Sequence, residues 1–457
     1  MTEFGTEVSE MNAYKADNRL NENAQELCEK LYLAAKKSKT RRFHQLYDKV
    51  YRMDILSDAW NIVRANKGSA GVDGVSIQDI IGQGEENYLE ALHELLLDTH
   101  NYHPRKVMRV YIPKASGGQR PLGIPAVKDR IVQTATKILL EPIFEADFLD
   151  CSYGFRPGRS AHDALEEIRS RINRGYRFVL DADIKGYFDS INHERLLELL
   201  QLRLSDRKIL KLIRKWLECG VVGEMEKSEL GTPQGGVISP LLANVYLHEF
   251  DKFWTEQKAV DGRLIRYADD FVILFKTKGD AERGMKLVCG KLAEMGLELN
   301  EKKTGIVSMN GGKEGFDFLG FHHRRVVGRS KRLYTSKWPK QAAVKAFKQK
   351  VRSVLEHRAM LQCSIEMVVE KLNPILRGWQ NYFKFGNSSK VFSSLDSYTH
   401  QSLALWYSKK HGKSGRGWAT RFNWGTYKRT GIVQLCGNVQ YWSANRMRKE
   451  EGHLKAV

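Results

Sequence analysis

Long hydrophobic runs are missing from this sequence. The apolar stretches stop at a handful of residues, as in "FVILF" at 271–275, whereas a helix crossing a bilayer needs about 18 to 20. The opening segment "MTEFGTEVSEMNAYKADNRLNENAQE" is acidic and polar and has no apolar core of the kind a signal peptide carries. Paired cysteines are missing too. The six thiols at 28, 151, 219, 289, 363 and 436 are scattered with no C-x-x-C among them, which removes the usual zinc and redox motifs and predicts reduced, buried thiols. His322 and His323 have no Cys or carboxylate at ligand spacing and read as structural. "GGKEG" at 311–315 lacks both the Ser or Thr after its lysine and the upstream glycine spacing of a phosphate loop, so it reads as a turn. These absences predict a cytosolic protein with no membrane partner.

Positive charge is what the chain has, in one place. Of 74 Lys and Arg against 54 Asp and Glu, residues 321–457 hold 27 and 6, so the first 320 residues are near neutral and the last third carries the whole excess of +20. Six of the nine tryptophans (338, 379, 406, 418, 424 and 442) lie in the same third. Cations interspersed with flat aromatic groups point to a polyanion, nucleic acid above all.

Residues 1–22 read as a disordered leader, followed by a basic helical stretch over 24–51 with Leu27, Leu31, Ala34 and Ala35 at helical spacing. "NKGSAGVDGVS" at 66–76 is a loop and "YLEALHELLLDTH" a helix. "KVMRVYIPKASGGQRPLGIP" reads as two strands about a glycine turn with Lys114 and Arg120 near its tip. "SAHDALEEIRSRIN" is a helix with a serine N-cap, and "RFVLDADI" a strand. Helices and short strands alternate to about 325. From "SKWPKQAAVKAFKQKVRSVL" onward the pattern is mainly helical. A mixed sheet backed by helices, then a helical domain, is the architecture expected.

Two stretches carry the chemistry. In "LIRYADDFVILF", residues 264–275, Asp269 and Asp270 stand between apolar runs. Turn chemistry alone accounts for paired aspartates in a hairpin; the sharper reading is a magnesium site, because hard divalent cations take carboxylate oxygens. That reading needs another carboxylate, and "FVLDADIKGYFDSINH" supplies it: Asp181 and Asp183 share one face of a strand with apolar neighbours. An unpaired carboxylate there costs several kcal/mol unless a cation or donor meets it; an N-cap or ion pair is the alternative for Asp181. Asp183 beside a hairpin turn at Asp269–Asp270 would hold two Mg²⁺ for in-line nucleotidyl transfer.

Y-A-D-D at 267–270, "DIKGYFDSINH" at 183–193, "GTPQGGVISPLLANVYL" at 231–247, "IPKASGGQRPLGIPAVKDRIVQ" at 112–133, "SYGFRPGRSAHDAL" at 152–165 and "FDFLGF" at 316–321 together resemble a group II intron reverse transcriptase and maturase. "NPILRGWQNYF" at 373–383 is similar to that family's thumb, or maturase domain. The match runs in order from about 40 to about 400. It implies an α+β right-hand polymerase: fingers and palm over 23–325 with an N-terminal extension at about 23–65, a helical thumb/maturase (X) domain over 326–400, and a basic segment over 401–457 read as a DNA-binding remnant. By resemblance Asp183, Asp269 and Asp270 are the metal-binding and catalytic carboxylates, with Ile184 as a further metal contact. Mg²⁺ is the implied ion, two of them, with Mn²⁺ as a substitute.

The resemblance also implies that Phe188 rejects a 2′-hydroxyl, the group that distinguishes RNA from DNA. Gln234 lies against the nascent base pair, Gly235 and Gly236 let backbone approach closely, and Lys114 and Arg120 grip the triphosphate. Lys303 would give a proton to pyrophosphate, a surface lysine being the alternative. Ser239 is expected to cap a helix with Pro240 at its first position. The implied partners are group II intron RNA, an RNA template, a DNA primer or target and dNTPs, in a ribonucleoprotein of the bacterial cytosol or nucleoid holding a monomer or dimer. After residue 400 only His411, Cys436 and His453 could serve a Cys/His-rich nuclease, so no endonuclease domain is expected and the primer must come by another route. Two other readings stand beside this one: a maturase without polymerase activity, and a free-standing reverse transcriptase recruited by its host for defence, repair or CRISPR spacer acquisition.

Overall fold

The computed structural model describes residues 19–113, 118–222, 230–232, 235–328, 330–413 and 417–440. The chain divides into two compact units, one made of Met1–Ala164 and Leu180–Ile306, the other of Leu165–Val179 and Val307–Val457.

In the first unit, α1 (Glu22–Lys37) starts where the Asn21 side chain accepts from the Ala24 amide. It ends at Ser38, whose extended backbone breaks the helical stretch expected to run on to 51; Tyr47–Val50 is a separate turn of helix. With α2 (Met53–Ala65) it packs on α3 (Val127–Glu145). Fifteen of α3's residues are buried, because helices and loops surround it on all sides. The fingers hairpin appears as expected, β1 (Met108–Pro113) antiparallel to β2 (Gln119–Ile124).

The central sheet has the order β4-β5-β3-β6, from β3 (Phe178–Asp183), β4 (Gly262–Tyr267), β5 (Asp270–Phe275) and β6 (Gly305–Ser308). Phe271 to Phe275 are each 0 % exposed, which is why this strand reads as a continuous apolar run rather than an alternation: both its faces are covered. At about 1.5–3 kcal/mol per buried large side chain, the five anchor β5 rigidly, and Asp270 is its first residue. Phe271→Ala would cost about 3–5 kcal/mol. The short helix α4 (Tyr187–Ser190) follows β3, and α5 (Ser239–Glu256) contributes twelve buried residues. Ile238, not Ser239, is the N-cap of α5, and no side chain caps it. Ser239 lies inside the first turn with Pro240 after it, where proline's missing N–H is no loss.

In the second unit β7 (Gly315–Phe318), β8 (Phe321–Val327) and β9 (Leu333–Pro339) form an antiparallel sheet. Leu319 and Gly320 both take positive φ in the two-residue turn between β7 and β8, as a primed turn requires. The boundary expected at 325/326 falls inside β8, and Ser336–Trp338, expected as the start of helix, belong to β9. Helices follow: α6 (Gln341–Glu356), α7 (Ile365–Phe383) and α8 (Ser389–Lys410).

Two tryptophans of this unit, Trp379 and Trp406, pack among the helices instead of offering free stacking faces. Trp379 packs against Phe347, Phe383 and Phe392 at ring separations of 5.1, 4.4 and 5.6 Å, and Trp406 is 3 % exposed. They hold the helices together. Trp424 is exposed, while the side chains of Trp418 and Trp442 lie outside the described residues. The cations do face solvent, among them Lys345, Lys350, Lys371, Arg377 and Lys390. All six cysteines are free, as their spacing implies, but only Cys28 is buried; Cys289 and Cys436 are exposed.

Candidate active site

Asp183 closes β3. Beyond it Ile184 bridges antiparallel to Leu299, with the Asn300 amide donating to the Asp183 carbonyl and the Lys185 amide to the Glu298 carbonyl, both at 2.8 Å. In such a pair the flanking residues exchange the bonds, so Ile184's own carbonyl turns away from Leu299, to the side on which β5 lies. Asp181 and Asp183 are half-buried with Ala182 buried between them, the alternation a strand imposes.

The β4–β5 hairpin pairs Tyr267 with Asp270, so the two-residue turn is Ala268–Asp269 rather than the Asp269–Asp270 expected from sequence, and Asp270 is already strand. Ala268 has φ +58°, a conformation that costs a non-glycine residue about 1 kcal/mol.

β5 lies beside β3 in the sheet, and the carboxyls of Asp183 and Asp270 come within hydrogen-bonding reach. Crowding by protein, then the like charges of Asp269 and Asp183, push the Asp270 carboxyl up to about 6. Because Asp270 keeps an exposed surface, solvent screens the burial effect and the like charges of Asp269 and Asp183 count for more. The three aspartates therefore lie within electrostatic reach of one another. Lys303 meets them too: its Nζ donates to Asp183 Oδ2 at 2.7 Å, and Asn300 Nδ2 donates to the same oxygen at 3.3 Å. The hydrogen bond it gives to Asp183 holds the lysine ammonium above its usual range.

Among the described residues no three His, Cys, Asp or Glu side chains already stand as a metal's ligand shell. The donor set nevertheless suits one. Its three side chains offer only hard oxygens, which Mg²⁺ prefers, and they repel one another in a way that a dication relieves. What stands in place of that charge is the Lys303 ammonium.

Phe188 sits in α4, half-buried, its ring edge-on to Tyr187 at 5.4 Å. Its carbonyl accepts from the Thr232 amide at 2.7 Å, and the Gly231 amide donates to Ile191 at 2.8 Å. The chain leading into the P-Q-G-G block is thus strapped to the backbone of Phe188. Gly235 follows with φ +120°, and a Cβ there would lie 2.1 Å from the Gly123 carbonyl oxygen, so only glycine fits. Lys114 and Gln234 lie outside the described residues, as does the side chain of Arg120, whose backbone pairs with Ile112.

Sequence reasoning missed the supporting residues. Gln133 Oε1 accepts from the Val237 amide at 2.9 Å and steadies the chain after Gly236. Asn300 was silent in the sequence. Arg266, fully buried in β4, carried a usable signal: a charge between apolar strand residues demands a buried partner.

The family model described as reverse transcriptase (RNA-dependent DNA polymerase) matches residues 112–323, and the group II intron maturase-specific domain matches residues 344–424. Protein YkfC of Escherichia coli is 36% identical over 347 residues, 67% of this chain and 89% of that protein. The group II intron-encoded protein LtrA of Lactococcus lactis is 42% identical over 219 residues, 47% of this chain. A 91 kDa protein encoded in the cob intron of Schizosaccharomyces pombe is 38% identical over 208 residues, 45% of this chain. The chain spans most of YkfC but only 36% of LtrA and 25% of the yeast protein.

Proposed function

The chain belongs to the family of group II intron-encoded reverse transcriptases and maturases, RNA-directed DNA polymerases joined to a maturase-specific domain, and from that premise we propose that Asp183, Asp269 and Asp270 form its polymerase centre. The carrying observation is the convergence of three carboxylates from β3, the β4–β5 turn and the start of β5, with the Lys303 ammonium bonded to Asp183. Reverse transcriptase domains work with divalent metal ions; here the residues that would hold them are the three aspartates, with the Ile184 carbonyl beside them. Mg²⁺, or Mn²⁺ in its place, lowers the pKa of the attacking 3′-hydroxyl and neutralises charge on the leaving pyrophosphate when bound.

The protein's own share is positioning, since phosphoryl transfer asks little else of it. β5 supplies a rigid base for Asp270 and the hairpin turn presents Asp269. Phe188, its carbonyl held by the Thr232 amide, is assigned the screening of an incoming sugar for its 2′-hydroxyl. Gly235 lets the backbone close over the nascent pair, beside Gln234. Lys114 and Arg120 are assigned to the triphosphate of a dNTP. Lys303, once drawn off Asp183, has an ammonium proton to give the departing pyrophosphate.

The exposed cations of the second unit bind RNA, and we assign them to the intron RNA whose splicing and mobility the protein assists, in a cytoplasmic ribonucleoprotein. Among the described residues no helix is long and apolar enough to cross a membrane. The deciding experiment is primer extension on an RNA template in Mg²⁺ by the wild type and by Asp269→Ala, beside RNA binding by both. The variant is expected to lose extension and keep RNA affinity; extension at the wild-type rate would refute the assignment. Affinity for RNA should also fall linearly, on logarithmic axes, with salt.

A further inference from the structure

We propose that Arg266 is a positioning residue for the turn bearing Asp269, acting with Asp251 and Asn244 as one buried network. This rests on the reading of Asp269 as a metal ligand and deepens it.

Arg266 and Asp251 have side chains 0 % exposed. Arg266 Nε donates to Asp251 Oδ1 at 2.8 Å and Nη2 to Asp251 Oδ2 at 2.5 Å, a two-point grip on a carboxylate carried by α5. Nη1 reaches the other way, to the Ala268 carbonyl at 3.0 Å and to Asn244 Oδ1 at 3.1 Å. A buried ion pair is poor evidence of a stabilising device, because apolar replacements are often as stable. A planar fork clamped on one edge does fix where its remaining N–H groups point. Here one of them points at the carbonyl of the peptide joining Ala268 to Asp269.

Asn244 lies seven residues before Asp251, two turns along α5 and on the same face. Its Nδ2 donates to the Gly154 carbonyl at 2.8 Å. Gly154 presses on the other side of the turn: a Cβ there would lie 2.5 Å from the Ala268 nitrogen and 3.0 Å from the Tyr267 carbonyl carbon. The backbone of Arg266 is held as well, its amide donating to Cys151 and its carbonyl accepting from Tyr153, both at 2.8 Å. The positive φ of Ala268 persists only where surroundings over-determine it. α5 does this by two routes, through Arg266 and through Gly154, and both converge on the residue before Asp269.

The test is Mn²⁺ binding, followed by electron paramagnetic resonance of the free ion, on full-length wild type, Arg266→Lys, Asn244→Ala and Asp269→Ala, with unfolding midpoints measured alongside. Lysine keeps the charge facing Asp251 and loses the fork. Partial unfolding by itself raises the half-saturating concentration by the reciprocal of the folded fraction, so the comparison is made where the unfolding midpoints show each variant fully folded, and there a merely structural role leaves it unmoved. Arg266→Lys is expected to raise it about tenfold, the low end for residues that orient metal ligands. Asn244→Ala, which spares the ion pair, should raise it by less than Arg266→Lys does. Asp269→Ala should abolish the tight site. If Arg266→Lys does not fold, Asn244→Ala decides alone. Wild-type affinity in the folded network variants, with binding lost in Asp269→Ala, overturns the positioning role and leaves the metal reading standing. Wild-type affinity in Asp269→Ala overturns the metal reading first, and the positioning role with it.

Discussion

Lys303 Nζ lies 2.7 Å from Asp183 Oδ2, so a cation of the chain itself occupies one oxygen of the cluster assigned to metal. A dication arriving at Asp183 must displace that ammonium or share its field. The lysine side chain is 62% exposed, so water screens the pair and its worth is about 0–1 kcal/mol. Lys303→Ala should therefore bind Mn²⁺ about two- to fivefold more tightly in direct titration, while extending primers more slowly if the ammonium is the proton donor. Weaker Mn²⁺ binding by the variant would mean that the lysine assembles the site rather than competing for it.

Asp270 sets the acid limit of metal binding. Burial and the charges of Asp269 and Asp183 raise its carboxyl to about 6, so below that pH the folded, metal-free protein keeps a proton there that an incoming ion must expel. Mn²⁺ affinity should fall as pH drops from 7 to 5, with proton release on binding detectable by calorimetry in buffers of different ionisation enthalpy. Asp270→Asn, with no proton to lose, should bind more weakly at pH 7 and show a flatter dependence. An unchanged slope in the variant would assign the proton to another group.

Phe188 is fixed by its backbone as well as by its ring, through the Thr232 amide and Tyr187. Truncation should leave this strap in place and open room beside the sugar. Phe188→Ala is expected to raise ribonucleotide incorporation relative to deoxyribonucleotide by tenfold or more, about 1.4 kcal/mol, read as the ratio of kcat/KM for the two substrates. No change in that ratio would remove the gate role.

His248 in α5 tests the fold apart from the chemistry. Neither ring nitrogen has a hydrogen-bond partner, its ring meets Phe148 edge-on at 5.5 Å, and burial, then neighbouring cations, push its imidazole down to about 3. The unfolded chain takes up a proton near pH 6.5 that the folded one refuses. The stability this neutral histidine contributes is present above 6.5 and lost as pH falls, at about 1.4 kcal/mol per pH unit. His248→Leu should remove that slope between pH 6.5 and 4 in urea unfolding, with little change at pH 7 because an unpartnered ring is replaced by an apolar one.

The site was legible where its chemistry is written in short, local stretches. Asp183 stands in a strand whose neighbours are apolar, and Asp269–Asp270 interrupt two such runs; residue type and period alone single them out. The turn was misplaced by one residue because Ala268 takes a backbone conformation that its sequence does not advertise. Ser239 reads as a cap but lies inside the helix, since Pro240 tolerates either of the first positions. Trp379 and Trp406 misled for a different reason: composition cannot tell a stacking platform from a core, and α6 to α8 need Trp379 to fill the space between them. Asn300, Gln133 and Asn244 were invisible because each acts through hydrogen bonds to residues far along the chain, set by tertiary packing. Arg266 was the exception that could have been found, a guanidinium in the buried stretch 264–266 of β4.

The most direct test is anomalous scattering from Mn²⁺ in crystals of the protein with an RNA template, a chain-terminated DNA primer and the matching dNTP. The account predicts manganese between the carboxylates of Asp183 and Asp269, at about 2.0–2.2 Å from their oxygens, with the Lys303 ammonium gone from Asp183. Manganese bound elsewhere, while Lys303 still holds Asp183, would contradict it.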